Sequence, residues 1–168
     1  MIISIIYLVL SLFLEVVMSN FFPSYLNDVS LMSTVYTIVA LVILYPYFNN
    51  DKKYFILVFV FGLLFGILYS NSFIFILFLF IIIGIIIKVL YNVFPENIFM
   101  TNLISLIIIF IYHILSFVIL SLLSTTDYAF ILLINIILGS IIMTIIYTTI
   151  SYYVIKAIFN KFNIKYIK

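Results

Sequence analysis

The sequence contains no cysteine, no tryptophan and no arginine, and a single histidine, in 168 residues. Without cysteine there is no disulfide framework, no thiolate metal site and no cysteine nucleophile. His113 cannot build a zinc site unless carboxylates help it. Charge is also scarce: 7% of the residues are charged, against about 25% in a soluble domain. Seven lysines stand against five acids, for a net charge of +2. That balance is too weak for a nucleic-acid binder. Glycine, proline and alanine are rare too, with alanine only at 40, 129 and 157.

What is present is oil. Hydrophobic residues make up 68% of the chain and the mean hydropathy is +1.50. Soluble domains average roughly 45–50% apolar. Too little polar surface exists to wet a globule, so the expected solvent is the bilayer. Ile, Phe, Tyr, Asn and Lys dominate, a bias that suits an AT-rich coding genome. No single Ile, Tyr or Asn therefore carries functional meaning by itself.

A helix needs roughly 20 apolar residues to cross the hydrocarbon. The expected spans are 2–19, 31–48, 54–69, 73–87, 98–123 and 128–155, in one all-α bundle that fills the whole chain. The first run lacks a basic leader and a cleavage site, so it is expected to be retained. Asn20 to Ser30, Asn49 to Lys53, Lys88 to Asn97 and Ser124 to Asp127 are the expected loops. Tyr54 to Ile87 holds 34 uncharged residues. As one helix it would rise about 51 Å at 1.5 Å per residue, against roughly 30 Å of hydrocarbon. A break at Ser70-Asn71-Ser72 makes it a hairpin of two shorter helices.

Lysine placement decides between five and six spans. With six, all seven lysines fall on one side and none on the other. With five, they split two against five. The positive-inside rule favours six spans with both termini in the cytoplasm. The basic segment 156–168 then forms a cytoplasmic tail. It either lies along an anionic leaflet or is a solvated end that only fixes topology.

Two polar residues sit inside the spans. Ser4, Ser11, Glu15 and Ser19 share one helical face, which should point into the bundle. The alternative is that Glu15 snorkels toward the outer headgroups. His113 lies slightly past the middle of the fifth span. Glu15 and His113 are roughly 20 and 22 Å along their helices from the cytoplasmic side, a matching depth that allows a Glu15–His113 pair. A hydrogen bond from His113 to a carbonyl or a serine is the simpler alternative. Gly62, Gly66 and Ser70 make a small-residue ladder in the third span. Asn135 and Gly139, continuing through Ser140, Thr144, Thr148 and Ser151, make another face in the sixth. Small residues let helix backbones approach in lipid, so both faces read either as internal packing or as docking sites for a partner. No Walker loop, no H-E-x-x-H and no set of intramembrane acids is present. Neither an enzyme nor a cofactor site is expected.

At this point the chain resembles the MreD family, the rod shape-determining membrane proteins of bacteria. The likeness rests on length, on six tight spans and on Leu44-Tyr45-Pro46-Tyr47-Phe48 before a small charged turn. It is tightest over about Tyr45 to Tyr69, where Phe61-Gly62-Leu63-Leu64-Phe65-Gly66-Ile67-Leu68-Tyr69 is similar to that family's glycine–leucine segment. Many members carry an aspartate where Ser70 stands here. The resemblance implies a non-enzymatic scaffold of cell elongation and lateral peptidoglycan synthesis in the cytoplasmic membrane. Its implied partners are the bitopic MreC, the actin-like MreB, RodA and a class B penicillin-binding transpeptidase, besides membrane lipid and a second copy of the chain. The face of Gly62, Gly66 and Ser70 would receive the MreC span. The alternative is the six-span substrate-binding subunit of an energy-coupling-factor vitamin transporter. Against it, the first span lacks the Ala-x-x-x-Ala pattern by which those subunits dock.

Overall fold

In the computed structural model, residues 1–21, 35–69, 73–122 and 130–162 are described. Ser70, Asn71, Ser72, Asp28, Asp127 and the tail beyond 162 fall outside them. Among the described residues the regular structure is entirely helical: α1 (Ile2–Phe21), α2 (Tyr36–Leu44), α3 (Asp51–Tyr69), α4 (Phe73–Val93), α5 (Ile98–Leu122) and α6 (Phe130–Lys161). A 3-10 turn, Tyr45–Tyr47, extends α2. Four of the helices, α3 to α6, are long and apolar enough to cross a membrane. The apolar parts of the other two, Ile2–Met18 and Tyr36–Tyr47, are shorter.

The helix ends follow local chemistry. Pro46 has no N–H to continue an α-helix, and the chain turns extended at Phe48. Asn50 Oδ1 then accepts the Lys52 N–H at 2.9 Å, and Asp51 lies in the first turn of α3, where the helix dipole favours an anion. Asn97 Oδ1 accepts the Met100 N–H at 2.8 Å and starts α5 in the same way.

Several boundaries differ from expectation, and α1 runs on through Asn20 to Phe21. Asp51 to Lys53 is helix and not loop. α4 continues through Lys88 to Val93, because the Lys88 ammonium reaches Asp51 at 2.9 Å and its stem follows the helix surface. α6 continues through Lys156 to Lys161, with the Lys156 ammonium 5.4 Å from the centre of the Tyr152 ring. A lysine ends the apolar run without ending the helix.

Helix directions alternate. Gly62 lies against Phe80, Gly66 against Phe73 and Gly84 against Val58, so α3 and α4 form an antiparallel hairpin. Glu15 meets Thr37, while Met1 and Ser4 meet Tyr47 and Phe48 at the other end. α1 and α2 are therefore antiparallel. Tyr36 packs on Tyr147 and Tyr47 stacks on Phe159, so α2 and α6 run parallel. Asn102, near the start of α5, bonds Thr149 of α6. The described lysines, 52, 53, 88, 156 and 161, consequently gather at the end that holds Met1.

α2 is the axis of the bundle. All nine of its residues are buried, and it packs against α1, α4, α5 and α6. Helices cannot gain by leaving lipid for equally oily neighbours, so close approach and dispersion must hold them. The hairpin supplies the closest approach. Tyrosines supply polar ties: Tyr54 donates to the Leu41 carbonyl at 3.4 Å, and Tyr45 stacks edge-on against Tyr54 at 4.8 Å.

Candidate functional site: a polar seam inside the bundle

The glycine ladder is an internal joint. A Cβ at Gly62 would lie 2.7 Å from the Phe80 Cβ, and one at Gly66 would lie 2.9 Å from the backbone of Phe73. α4 of the same chain covers this face, so an MreC-type span has no access to Gly62 or Gly66 unless the hairpin opens. Ser70 lies outside the described residues. On α6, Gly139, Ser140, Thr144, Thr148 and Ser151 are buried and Asn135 is half-buried. That face too is turned inward.

Tyr7 and Ser11 on the polar face of α1 come near Tyr147 and Ser151 of α6. Ser4 and Ser11 are buried, as the face-sharing argument requires. Ser11 donates to the Leu8 carbonyl at 2.8 Å. Glu15 goes further. α2 begins at Val35, which offers no side-chain cap, so the first amides of α2 need another acceptor. The Thr37 N–H donates to Glu15 Oε2 at 3.2 Å and the Thr37 hydroxyl donates to the same oxygen at 3.1 Å. The Tyr36 N–H also points to the carboxylate. A carboxylate from α1 thus caps α2. In its ionised form the carboxylate would face the positive end of a helix dipole, and its hydrogen bonds would be charge-assisted.

Tyrosines surround this cap. Tyr36, Tyr69, Tyr112 and Tyr147 all lie within electrostatic reach of Glu15. Tyr69 donates to the Leu12 carbonyl at 3.1 Å and ties the end of α3 to α1. α5 approaches through Tyr112, whose ring is 5.5 Å from that of His113. The structure thus gives the Glu15 carboxylate to Tyr36 and Thr37, and places His113 half-buried on α5 beside Tyr112. Sequence reading missed Thr37; the only signal for it was a helix start lacking a capping side chain.

Among the described residues, no three His, Asp or Glu side chains come together as a metal ion would need. A cleft of about 180 Å³ lies at the lysine-bearing end, lined by Ser4, Tyr47, Asn50, Lys53 and Phe159 among others.

Glu96, between α4 and α5, is an acid outside the long apolar helices with a shifted titration. Burial pushes its carboxyl up from 4.5 to about 7, and the Lys156 ammonium opposes this. The neutral form is favoured by the fold. Its contribution is therefore complete below pH 4.5 and is lost as pH rises through about 7. The melting temperature of wild type relative to Glu96→Gln should fall across that window. Parallel profiles of the two proteins would remove Glu96 as the cause.

No protein-family model, curated protein or solved structure matches this chain.

Proposed function

We propose that the chain is a non-enzymatic membrane scaffold of the bacterial cell-elongation complex, with six spans and both termini in the cytoplasm. It would work beside an MreC-type bitopic protein, MreB, RodA and a class B penicillin-binding transpeptidase. The observation that carries this reading is the segment from Tyr45 to Tyr69. It bears the resemblance to the MreD family, and it makes the tight turn below α2 and the glycine side of the hairpin. A second support is the use of Glu15, which is held as a cap between two helices. Since α4 occupies the glycine face, a partner's span would take an outward face of the bundle.

The test is co-purification from membranes in mild detergent. The tagged chain should carry the MreC-type protein with it, and depletion of the chain should round or widen the cells. Absence of that partner from correctly inserted protein, with unchanged cell shape, would remove the scaffold reading. A retained vitamin would put the transporter subunit in its place.

A further inference from the structure

We propose that the seam between α1, α2 and α6 is a hydrated path through which Glu15 exchanges a proton with water at the lysine-bearing end. α1 carries Ser4, Tyr7, Ser11 and Glu15 at steps of three and four residues. This spacing makes one stripe along the helix, about 16 Å long at 1.5 Å per residue. At its foot, Ser4 is buried and lines the cleft beside Met1 and Lys53. At its head, Glu15 holds the start of α2.

The middle of the stripe is where the path is needed. Tyr7 faces Tyr147 and Ser151 of α6, and Tyr147 also comes near Ser11 and Glu15. The buried hydroxyls of Tyr7 and Tyr147 approach each other, Ser151 and Ser11, yet neither reaches a partner at full hydrogen-bonding geometry. Thr148, fully buried on the same helix, also has an unbonded hydroxyl. Buried hydroxyls without partners are costly in an apolar medium. Bound water is the usual remedy, each molecule making about three hydrogen bonds. Polar groups at membrane depth are tolerated where they line such water.

The titratable groups facing Glu15 are Tyr36 on α2, Tyr69 on α3, Tyr112 on α5 and Tyr147 on α6, with His113 next to Tyr112. A proton from water in the cleft moves by exchange of O–H bonds, each oxygen along the path taking one and giving one. It ends on a carboxylate oxygen of Glu15. The net change is one O–H bond formed there and one proton taken from the aqueous side. A neutral carboxyl makes weaker hydrogen bonds to Tyr36 and Thr37 than the anion does, so proton uptake loosens the joint between α1 and α2. This inference stands apart from the choice of partner.

Dicyclohexylcarbodiimide, which modifies buried protonated carboxyls, tests it. The full chain is reconstituted in lipid vesicles of known orientation, and the pH is changed on one side only. Labelling of Glu15, read by mass spectrometry, should rise when the lysine-bearing side is acidified and stay level when the opposite side is. Glu15→Gln should abolish the label. After a pH jump on the lysine-bearing side, the infrared carbonyl band of protonated Glu15 should grow about tenfold more slowly in Tyr7→Phe/Tyr147→Phe, the effect of one lost hydrogen bond on a barrier. Should the double variant fail to fold, Tyr7→Phe is read alone. Labelling that follows the opposite side, labelling that ignores both sides, or an unchanged rate in the Phe variants would overturn the path.

Discussion

Gly66→Ala should lower the unfolding free energy in detergent by about 3 kcal/mol, and Gly62→Ala by a similar amount, the upper range for overpacking. A methyl added at Gly66 would press on the Phe73 backbone at 2.9 Å, and one added at Gly62 on the Phe80 Cβ at 2.7 Å. Neither neighbour is the free end of a side chain, so relief requires the two helices to separate. Gly84 is the internal control. Its Cβ would meet the methyls of Val58 at 3.1 and 3.2 Å and the ring edge of Phe55 at 3.4 Å, and these side-chain ends can turn aside. Gly84→Ala should therefore cost about 1 kcal/mol or less. Denaturant titrations followed by tyrosine fluorescence provide the measurement. Equal stability in Gly66→Ala and wild type would contradict the hairpin contact.

Glu15→Ala should be the second severe change, at about 2–4 kcal/mol, because it strands the Tyr36 and Thr37 amides and the Thr37 hydroxyl inside the bundle. Glu15→Gln keeps one acceptor oxygen in place of two, so about 1–2 kcal/mol is expected. Thr37→Val keeps the backbone bond and should cost about 1 kcal/mol. The ranking separates a cap from a snorkelling carboxylate. If Glu15 only reached for the headgroups, the alanine variant would be the mildest of the three.

Much of the architecture was legible in the sequence, and the illegible part has a single physical origin. Breakers and polar stops mark where helices start and end: Pro46 closes α2, Asn50 and Asn97 open α3 and α5. The uncharged run from Tyr54 to Ile87 betrayed itself by excess length, and α3 stops at Tyr69 while α4 starts at Phe73. The small-residue faces were visible as faces, because in lipid small size is what permits contact. Which surface covers them was not visible. Hydropathy cannot separate lipid from core, since both are oil. α4 has the highest mean hydropathy of the long helices, 3.2, with only 28% of its span buried, whereas every residue of α2 is buried. Nothing in the residues of α2 distinguishes it as the axis. Glu15 was legible as an inward-facing acid. Its acceptor role was not, because the amides it satisfies belong to the backbone, and backbone carries no sequence signature.

The capping of one helix by another has a consequence for biogenesis. A nascent α2, whose described apolar helix Tyr36–Tyr47 starts without a side-chain cap of its own, is a poor substrate for lateral release from the translocon, since uncapped backbone amides need an acceptor in hydrocarbon. α1 is equally awkward on its own, because it would carry an unpartnered carboxylate into hydrocarbon. Each supplies what the other lacks, an acceptor on one side and amides on the other. The two should therefore leave the insertion machinery as a joined pair and stay beside it until α4 to α6 close around them.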